Sequence, residues 1–363
     1  MAVSCGIVGL PNVGKSTLFN ALTSAGAEAA NYPFCTIEPN VAVVEVPDPN
    51  LARIHEHITT DKVLPAVVRV VDIAGLIEGA SKGEGMGNQF LANIRESDAI
   101  MQVVRCFEGS SVVREKPVDP TADMEIIEME LALADLFTAE RSLLQVAKRA
   151  RTGDKDSIAQ KEVIERAIGY LEAGTLLRSI EWTDKERAIL KPLCLMTIKP
   201  MLYIANVADD DMDGSSELAQ RVGERAAASG AEWIPICADM ECELRSMEDE
   251  DREVFMQDLG IEELGLDRLI SHVYSLLHLQ TFYTAGQIEI RAWTTFQGAP
   301  APVAAGVIHT DFEKKFIRAE IYSVDDLAAL HSESAIKSAG KMRTEGREYL
   351  MQPGDVCHFL IGK

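Results

Sequence analysis

Apolar positions arrive in two rhythms along the chain, and the change of rhythm divides it. Residues 3–8 (VSCGIV), 41–46, 66–73 (AVVRVVDI) and 98–106 are short apolar runs rich in β-branched side chains, which predicts buried strands. Residues 16–23 (STLFNALT) read instead as the start of an amphipathic helix. From residue 123 to 151 apolar residues recur at 126, 127, 131, 133, 134, 136, 137, 143, 144 and 146, a broad helical stripe. Gly153-Asp154 interrupts it, and the helical pattern resumes over 157–173. Two such helices joined by a short turn predict an antiparallel hairpin. Thr183-x-x-Glu186 is a capping box that starts a third, shorter helix. Strand runs return at 201–206 (MLYIAN) and 233–237 (WIPIC), followed by helices over 252–259 and 264–279. Beyond about residue 281 the pattern becomes short strands, at 287–293, 306–309, 316–322 and 356–361. At 363 residues the chain is too long for one ordinary core. The expected architecture is an α/β core from 1–119 and 199–277, a helical insertion over 120–198, and a C-terminal β domain over 278–363.

The loop after the first strand brings in chemistry. Residues 9–17, GLPNVGKST, match G-x-x-x-x-G-K-[ST], a phosphate-binding loop, between the predicted strand and helix that the motif requires. Gly9 and Gly14 let the backbone wrap a phosphate closely, where a Cβ would block the dihedrals. The N–H groups of Val13, Gly14, Lys15, Ser16 and Thr17 and the helix N-terminus then present partial positive charge to the anion. Lys15 is the candidate cation over the β- and γ-phosphates, and the Ser16 hydroxyl is a candidate Mg²⁺ ligand.

Two more metal candidates follow from position. Thr36 lies in an irregular segment, NYPFCTIEPN, between the first helix and the second strand, where nucleotide switches place a second Mg²⁺ ligand. Asp72 ends the strand 66–73, where a carboxylate can hold the metal through water. Gly75 completes Asp72-Ile73-Ala74-Gly75 and can bring its N–H against a γ-phosphate. Glycines at 79, 83, 85 and 87 make the next segment read as a switch loop. Leu76 stands where related hydrolases carry a water-orienting Gln, so hydrolysis is expected to be slow or to use another group.

With the phosphate loop, DIAGLIEGASKGEGMGNQFLANIR and HTDFEKKFIRAE in hand, the chain resembles the Obg-related GTPase-fold family, and within it the YchF type, the Obg-like ATPases. The resemblance covers essentially the whole chain. It implies an α/β P-loop NTPase (GTPase-like) core, an inserted helical hairpin and a C-terminal β-grasp domain called TGS. The hydrophobic residue at Leu76 fits the family. Members often carry a catalytic His in the loop after the fourth core strand. Arg114 stands near that position and becomes a candidate charge stabiliser. Relatives with this loop can use the residue at Asn12 to hold K⁺ beside the phosphates. The resemblance further implies ATP hydrolysis and association with the large ribosomal subunit.

The base is harder to assign. Asn206-Val207-Ala208-Asp209 follows the strand 201–206, where guanine readers carry N-K-x-D and the resembled ATPases usually carry N-x-x-E. The Asp209 carboxylate suits the donor pair of guanine, yet Val207 breaks the pattern. The resemblance favours ATP, and GTP remains open. The turn at Cys237-Ala238 is a candidate backbone contact for the base.

Composition and charge narrow the partners. The chain is 47% hydrophobic and 25% charged, ordinary for a globular protein. No run approaches the roughly 18 apolar residues of a membrane span. The N-terminus enters a strand within three residues, so no signal peptide is expected, and the expected location is cytoplasmic. Seven scattered cysteines without a C-x-x-C pair suit a reducing compartment and give no zinc site. His55-x-His57 reads as a solvated helix face rather than a metal pair. A net charge of −22 argues against non-specific nucleic-acid binding, and no DNA partner is expected. The sign reverses locally: residues 141–161 hold Arg141, Lys148, Arg149, Arg151, Lys155 and Lys161 against Asp154 and Asp156. These cations either offset a helix dipole or meet ribosomal RNA. In the near-neutral C-terminal domain, Lys314, Lys315, Arg318, Lys337, Lys341, Arg343 and Arg347 form a candidate basic face or an ordinary mixed surface.

Overall fold

A computed structural model of the chain describes residues 3–24, 40–73, 86–108 and 117–362. β1 (Val3–Val8) leads through the glycine loop into α1 (Lys15–Ser24). β2 (Val41–Glu45), α2 (Pro49–His55), the two-residue β3 (Val63–Leu64), β4 (Val67–Asp72), α3 (Met86–Glu96) and β5 (Ala99–Arg105) follow.

The helical excursion is α4 (Pro120–Ala150), α5 (Lys155–Glu172) and the short α6 (Asp184–Leu190). Each start is capped from the sequence. Asp119 accepts from Ala122 N ahead of Pro120, and Asp154 accepts from Ser157 N at 3.0 Å. At α6, Thr183 and Glu186 close the expected reciprocal capping box. The long pair packs side by side, its seam closed by Ala139, Val146 and Ile164.

The core resumes with β6 (Met201–Asn206), α7 (Glu217–Ala228), β7 (Glu232–Ile236), α8 (Ala238–Ser246), α9 (Asp249–Leu259) and α10 (Gly265–Leu276). Its sheet runs β2-β4-β1-β5-β6-β7, parallel except for β2 against β4. β5 and β6 are buried along their whole length, with Gln102 and Arg105 of β5 buried among apolar neighbours. The chain moves from β1 to one side of the sheet and then crosses to β5 on the other. That places a crevice at the carboxyl ends of the central strands.

The C-terminal unit contains β8 (Leu279–Ala285), β9 (Ile290–Phe296), α11 (Ala301–Ile308), α12 (Thr310–Lys315), β10 (Phe316–Ser323), α13 (Val324–Leu330), α14 (Glu333–Ser338), β11 (Arg343–Glu345) and β12 (Asp355–Ile361). Its sheet order is β11-β10-β12-β8-β9-β3. Two expectations about elements are corrected here. Residues 306–309 are not a strand: APVAAGVI is alanine-rich with proline near its start, and forms helix α11. The chain turns from helix to strand earlier than expected, so β8 begins at Leu279, and β9 begins later, at Ile290. β3 belongs to the N-terminal part of the chain yet pairs with β9 (Val63 opposite Ile290), so the sheet crosses the expected domain boundary.

The seam is well made. Tyr283 donates to both Asp48 oxygens at 2.8 and 3.0 Å, Arg53 meets Asp325 at 2.6 Å, and α2 contributes Leu51 and Ile54 to an apolar cluster shared with Leu327 and Val356. Burial pushes the Asp48 carboxyl up, against the lowering pull of Tyr283 and the Asn50 N–H. Among the described residues no helix is long and apolar enough to cross a membrane.

Candidate nucleotide site

The phosphate loop sits at the carboxyl end of β1, and its glycines are fixed by space as much as by dihedral. A Cβ on Gly9 would lie 2.9 Å from Val13 Cγ2 and 3.0 Å from Val103 O. Gly14 has φ +91°, and a Cβ there would fall 2.0 Å from Asn206 Nδ2. Asn12, also left-handed at φ +62°, is exposed at the crown of the loop. Val13 turns its side chain into the core and leaves its carbonyl to the loop. Ser16 is exposed in the first turn of α1, and Thr17 half-buried beside it.

Lys15 and Asp72 meet directly. The ammonium lies 2.9 Å from Asp72 Oδ1, both side chains being mostly buried. β4 supplies the carboxylate at its last residue, and Asp72 N donates to Asn40 O at 2.8 Å, which ties the end of β4 to the entrance of β2. Thus the cation expected over phosphates and the carboxylate expected near the metal share one mouth. The oxygen side chains of Ser16 and Asp72 are of the hard-donor type that suits Mg²⁺ rather than a soft metal. Among the described residues no group of three His, Cys, Asp or Glu side chains forms a metal cage on its own.

Asn206, expected at the base, is held at the edge of the phosphate loop. Its side chain makes two bonds within the protein: Nδ2 donates to Val13 O at 2.9 Å and Oδ1 accepts from Ala238 N at 3.1 Å, leaving one N–H and one lone pair of the amide. It therefore clamps the phosphate loop to the turn after β7. Val207 is buried in the apolar cluster with Ala205 and Cys237, and its N–H donates to Ile236 O. Val207 thus fills with an apolar side chain the position where guanine readers carry Lys. Asp209 is exposed and opens a short 3-10 turn. Cys237 occupies the N-cap position of α8, and burial pushes its thiol up, with Asp239 and Asp209 adding to the effect.

Thr36, Gly75, Leu76 and Arg114 lie outside the described residues. The two histidines have different neighbours, and His57 lies beyond the end of α2. His55 Nε2 is 2.8 Å from Thr60 O, and His57 tilts against the His331 ring. Among the described cysteines, Cys5, Cys106, Cys237 and Cys357 are buried, while Cys194 is exposed. A cavity of about 490 Å³ lies away from the loop, between β2 and α10, where Arg245 and Asp267 pair with one another.

Sequence reasoning missed Lys199. It follows the insertion directly and donates to the carbonyls of Ile94, Arg95 and Ser97, closing the C-terminal end of α3. A lysine after a helical insertion looks like an ordinary surface cation, and no local motif marks it.

Two family models match the chain: one described as a 50S ribosome-binding GTPase over residues 4–144, and the YchF GTPase C-terminal model, described as a protein of unknown function, over residues 279–362. The chain is 52% identical over 362 residues to the ribosome-binding ATPase YchF of Escherichia coli O157:H7, covering 99% of each. It is 48% identical over 362 residues to the protein of that name from Bacillus subtilis (strain 168), again covering 99% of each. Among solved structures, the Schizosaccharomyces pombe YchF GTPase matches with a TM-score of 0.89 at 37% identity, covering 99% of this chain and 97% of that one.

Proposed function

The chain belongs to the YchF family, and from that premise we propose that this nucleoside triphosphate hydrolase is a slow, ATP-preferring, Mg²⁺-dependent switch that binds the ribosome. The observation that carries the reading is the Lys15–Asp72 contact. An arriving triphosphate offers Lys15 a stronger anionic partner than one carboxylate, so the ammonium turns to the β- and γ-phosphates. Asp72 is then released, and with Ser16 and Thr36 it would hold Mg²⁺. The ion would supply positive charge to offset that of the phosphates. Gly75 N–H is assigned to the γ-phosphate and Arg114 to charge developing in the transition state, because Leu76 cannot orient water. Asn12 is assigned to K⁺ beside the same phosphates.

The similar proteins are named both as ATPases and as a GTPase, so base choice needs its own argument. Val207, buried where guanine readers carry Lys, supports adenine; the exposed Asp209 is the one feature that supports guanine. Equilibrium titration with fluorescent ATP and GTP analogues tests this. The expected result is at least severalfold tighter binding of ATP; a preference for GTP would make Asp209 the base reader. Lys15→Ala should abolish hydrolysis while leaving some affinity through the loop amides, and unchanged turnover would overturn the site.

The hairpin tip is the proposed main contact with ribosomal RNA. Arg141, Lys148, Arg149, Arg151 and Lys155 are exposed, and none has an ion pair among the described residues, whereas Lys161 pairs with Glu165. Lys314, Lys315 and Arg318 of the C-terminal domain are likewise exposed and form a second, smaller surface. A ribosomal partner implies a cytoplasmic location.

A further inference from the structure

Near the tip of the hairpin, α4, α5 and the turn that follows α6 do not close on one another and leave a cleft of about 250 Å³. Val146 and Ile164, both buried, form its floor with Leu193 beside them. Arg149, which is exposed, and Gln160, which is half-buried, line its open side. Clefts that enclose a whole small-molecule ligand run to roughly 300–1,000 Å³, so this one suits a single ring or side chain rather than a nucleotide.

Resting on the assignment of this tip to ribosomal RNA, we propose that the cleft receives one unstacked nucleobase of a single-stranded segment. Sequence-reading contacts to RNA fall mainly on splayed bases held against apolar or planar side chains and hydrogen-bonded at their edges. The apolar floor suits the face of a base. The Gln160 amide both donates and accepts, and the Arg149 guanidinium donates and stacks, which suits its edge. The exposed cations of the tip decide between a base and a protein side chain. Lys148 and Arg151 flank Arg149 on one helix end, with Lys155 across the turn, and none of the four has an ion pair among the described residues. Asp154, the cap of α5, is held low by Ser157 and then by the charge of Arg149. A base entering the cleft would carry its flanking phosphates past those cations.

The test uses the full-length protein, a short single-stranded RNA oligomer, an abasic oligomer of equal length and charge, and purified ribosomes. The wild-type chain should bind the intact oligomer about ten-fold more tightly than the abasic one, the scale of one stacked base. Ser142→Phe, at a half-buried position lining the cleft, should fill it without altering charge. It should erase that ratio, leave abasic binding unchanged and leave basal hydrolysis intact. Gln160→Ala, a milder change, should lower the ratio partway. Equal binding of intact and abasic RNA by the wild-type chain would overturn the base pocket while leaving an RNA-binding tip standing. Failure to bind either oligomer at a salt concentration where ribosomes are bound would remove both. If Ser142→Phe weakens ribosome sedimentation but no RNA binding, the cleft holds a protein side chain and the proposal falls.

Discussion

At the base of the hairpin Glu128 and Asp135 are 4% and 0% exposed, and each accepts three hydrogen bonds; at its tip five cations stand in solvent with no ion pair among the described residues. Glu128 takes Arg178 Nη2 at 2.8 Å, Tyr203 Oη at 2.6 Å and Arg225 Nη2 at 2.5 Å. Asp135 takes the backbone N–H groups of Met196 and Thr197 and the Thr197 hydroxyl. Burial pushes the Asp135 carboxyl up even so, with the N–H groups of Met196 and Thr197 pulling it back. The difference teaches what each set of charges is for. Buried charge survives only where it is paired, so the base fixes how the hairpin sits on β6 and α7. The tip contributes little to the fold, and its charge is available to a partner.

The comparison breaks most visibly at the base. Glu128→Ala leaves Arg178, 4% exposed at its side chain, without its carboxylate. Removing one partner of a buried pair costs about 3–5 kcal/mol, and urea denaturation should register a loss of that order. A loss below about 1 kcal/mol would mean that water replaces the carboxylate and that the base is not held by charge.

At the tip the expected effect is smaller and of another kind. Reversing Lys148, Arg149 and Arg151 to Glu should weaken ribosome co-sedimentation by at least about ten-fold at physiological salt and flatten its salt dependence. Stability and basal hydrolysis should hardly move, because these side chains are exposed and lie far along the hairpin from the phosphate loop. If co-sedimentation survives, the cations do no more than offset the dipole of α4.

Legibility in the sequence follows the same division between local and non-local causes. The phosphate loop, the caps at Thr183 and Glu186 and the two long helices were readable, because each is set by spacing over a few residues. The partners of Glu128 lie 50, 75 and 97 residues away, and no local pattern announces such bonds. Asn206 was found by its motif, but its bonds to Val13 O and Ala238 N depend on the sheet bringing three loops together. The run APVAAGVI misled because an all-apolar segment has no period, so its alanines should have outweighed its valines. β3 escaped notice because two residues are too few for any rhythm.

The smallest expected effect lies in the C-terminal domain, and it sharpens the contrast with the tip. Four of the seven residues expected to form a basic face are engaged. Lys337 is 3.8 Å from Glu320, Lys341 is 3.5 Å from Asp326, Arg343 is 3.0 Å from Asp355, and Arg347 donates to Phe316 O at 2.9 Å. The first two pairs are exposed at the lysine, so each is worth roughly 0–1 kcal/mol and neither is needed for the fold. With a carboxylate at hand, each lysine also projects little net charge toward a polyanion. Lys337→Glu combined with Lys341→Glu should therefore change ribosome affinity by less than about two-fold, well below the triple reversal at the tip. The two experiments belong in one salt series, because a contact made by unpaired cations steepens the slope and a neutralised surface does not. A drop equal to that of the triple reversal would make the C-terminal domain an equal partner in binding and end the distinction between paired and unpaired charge.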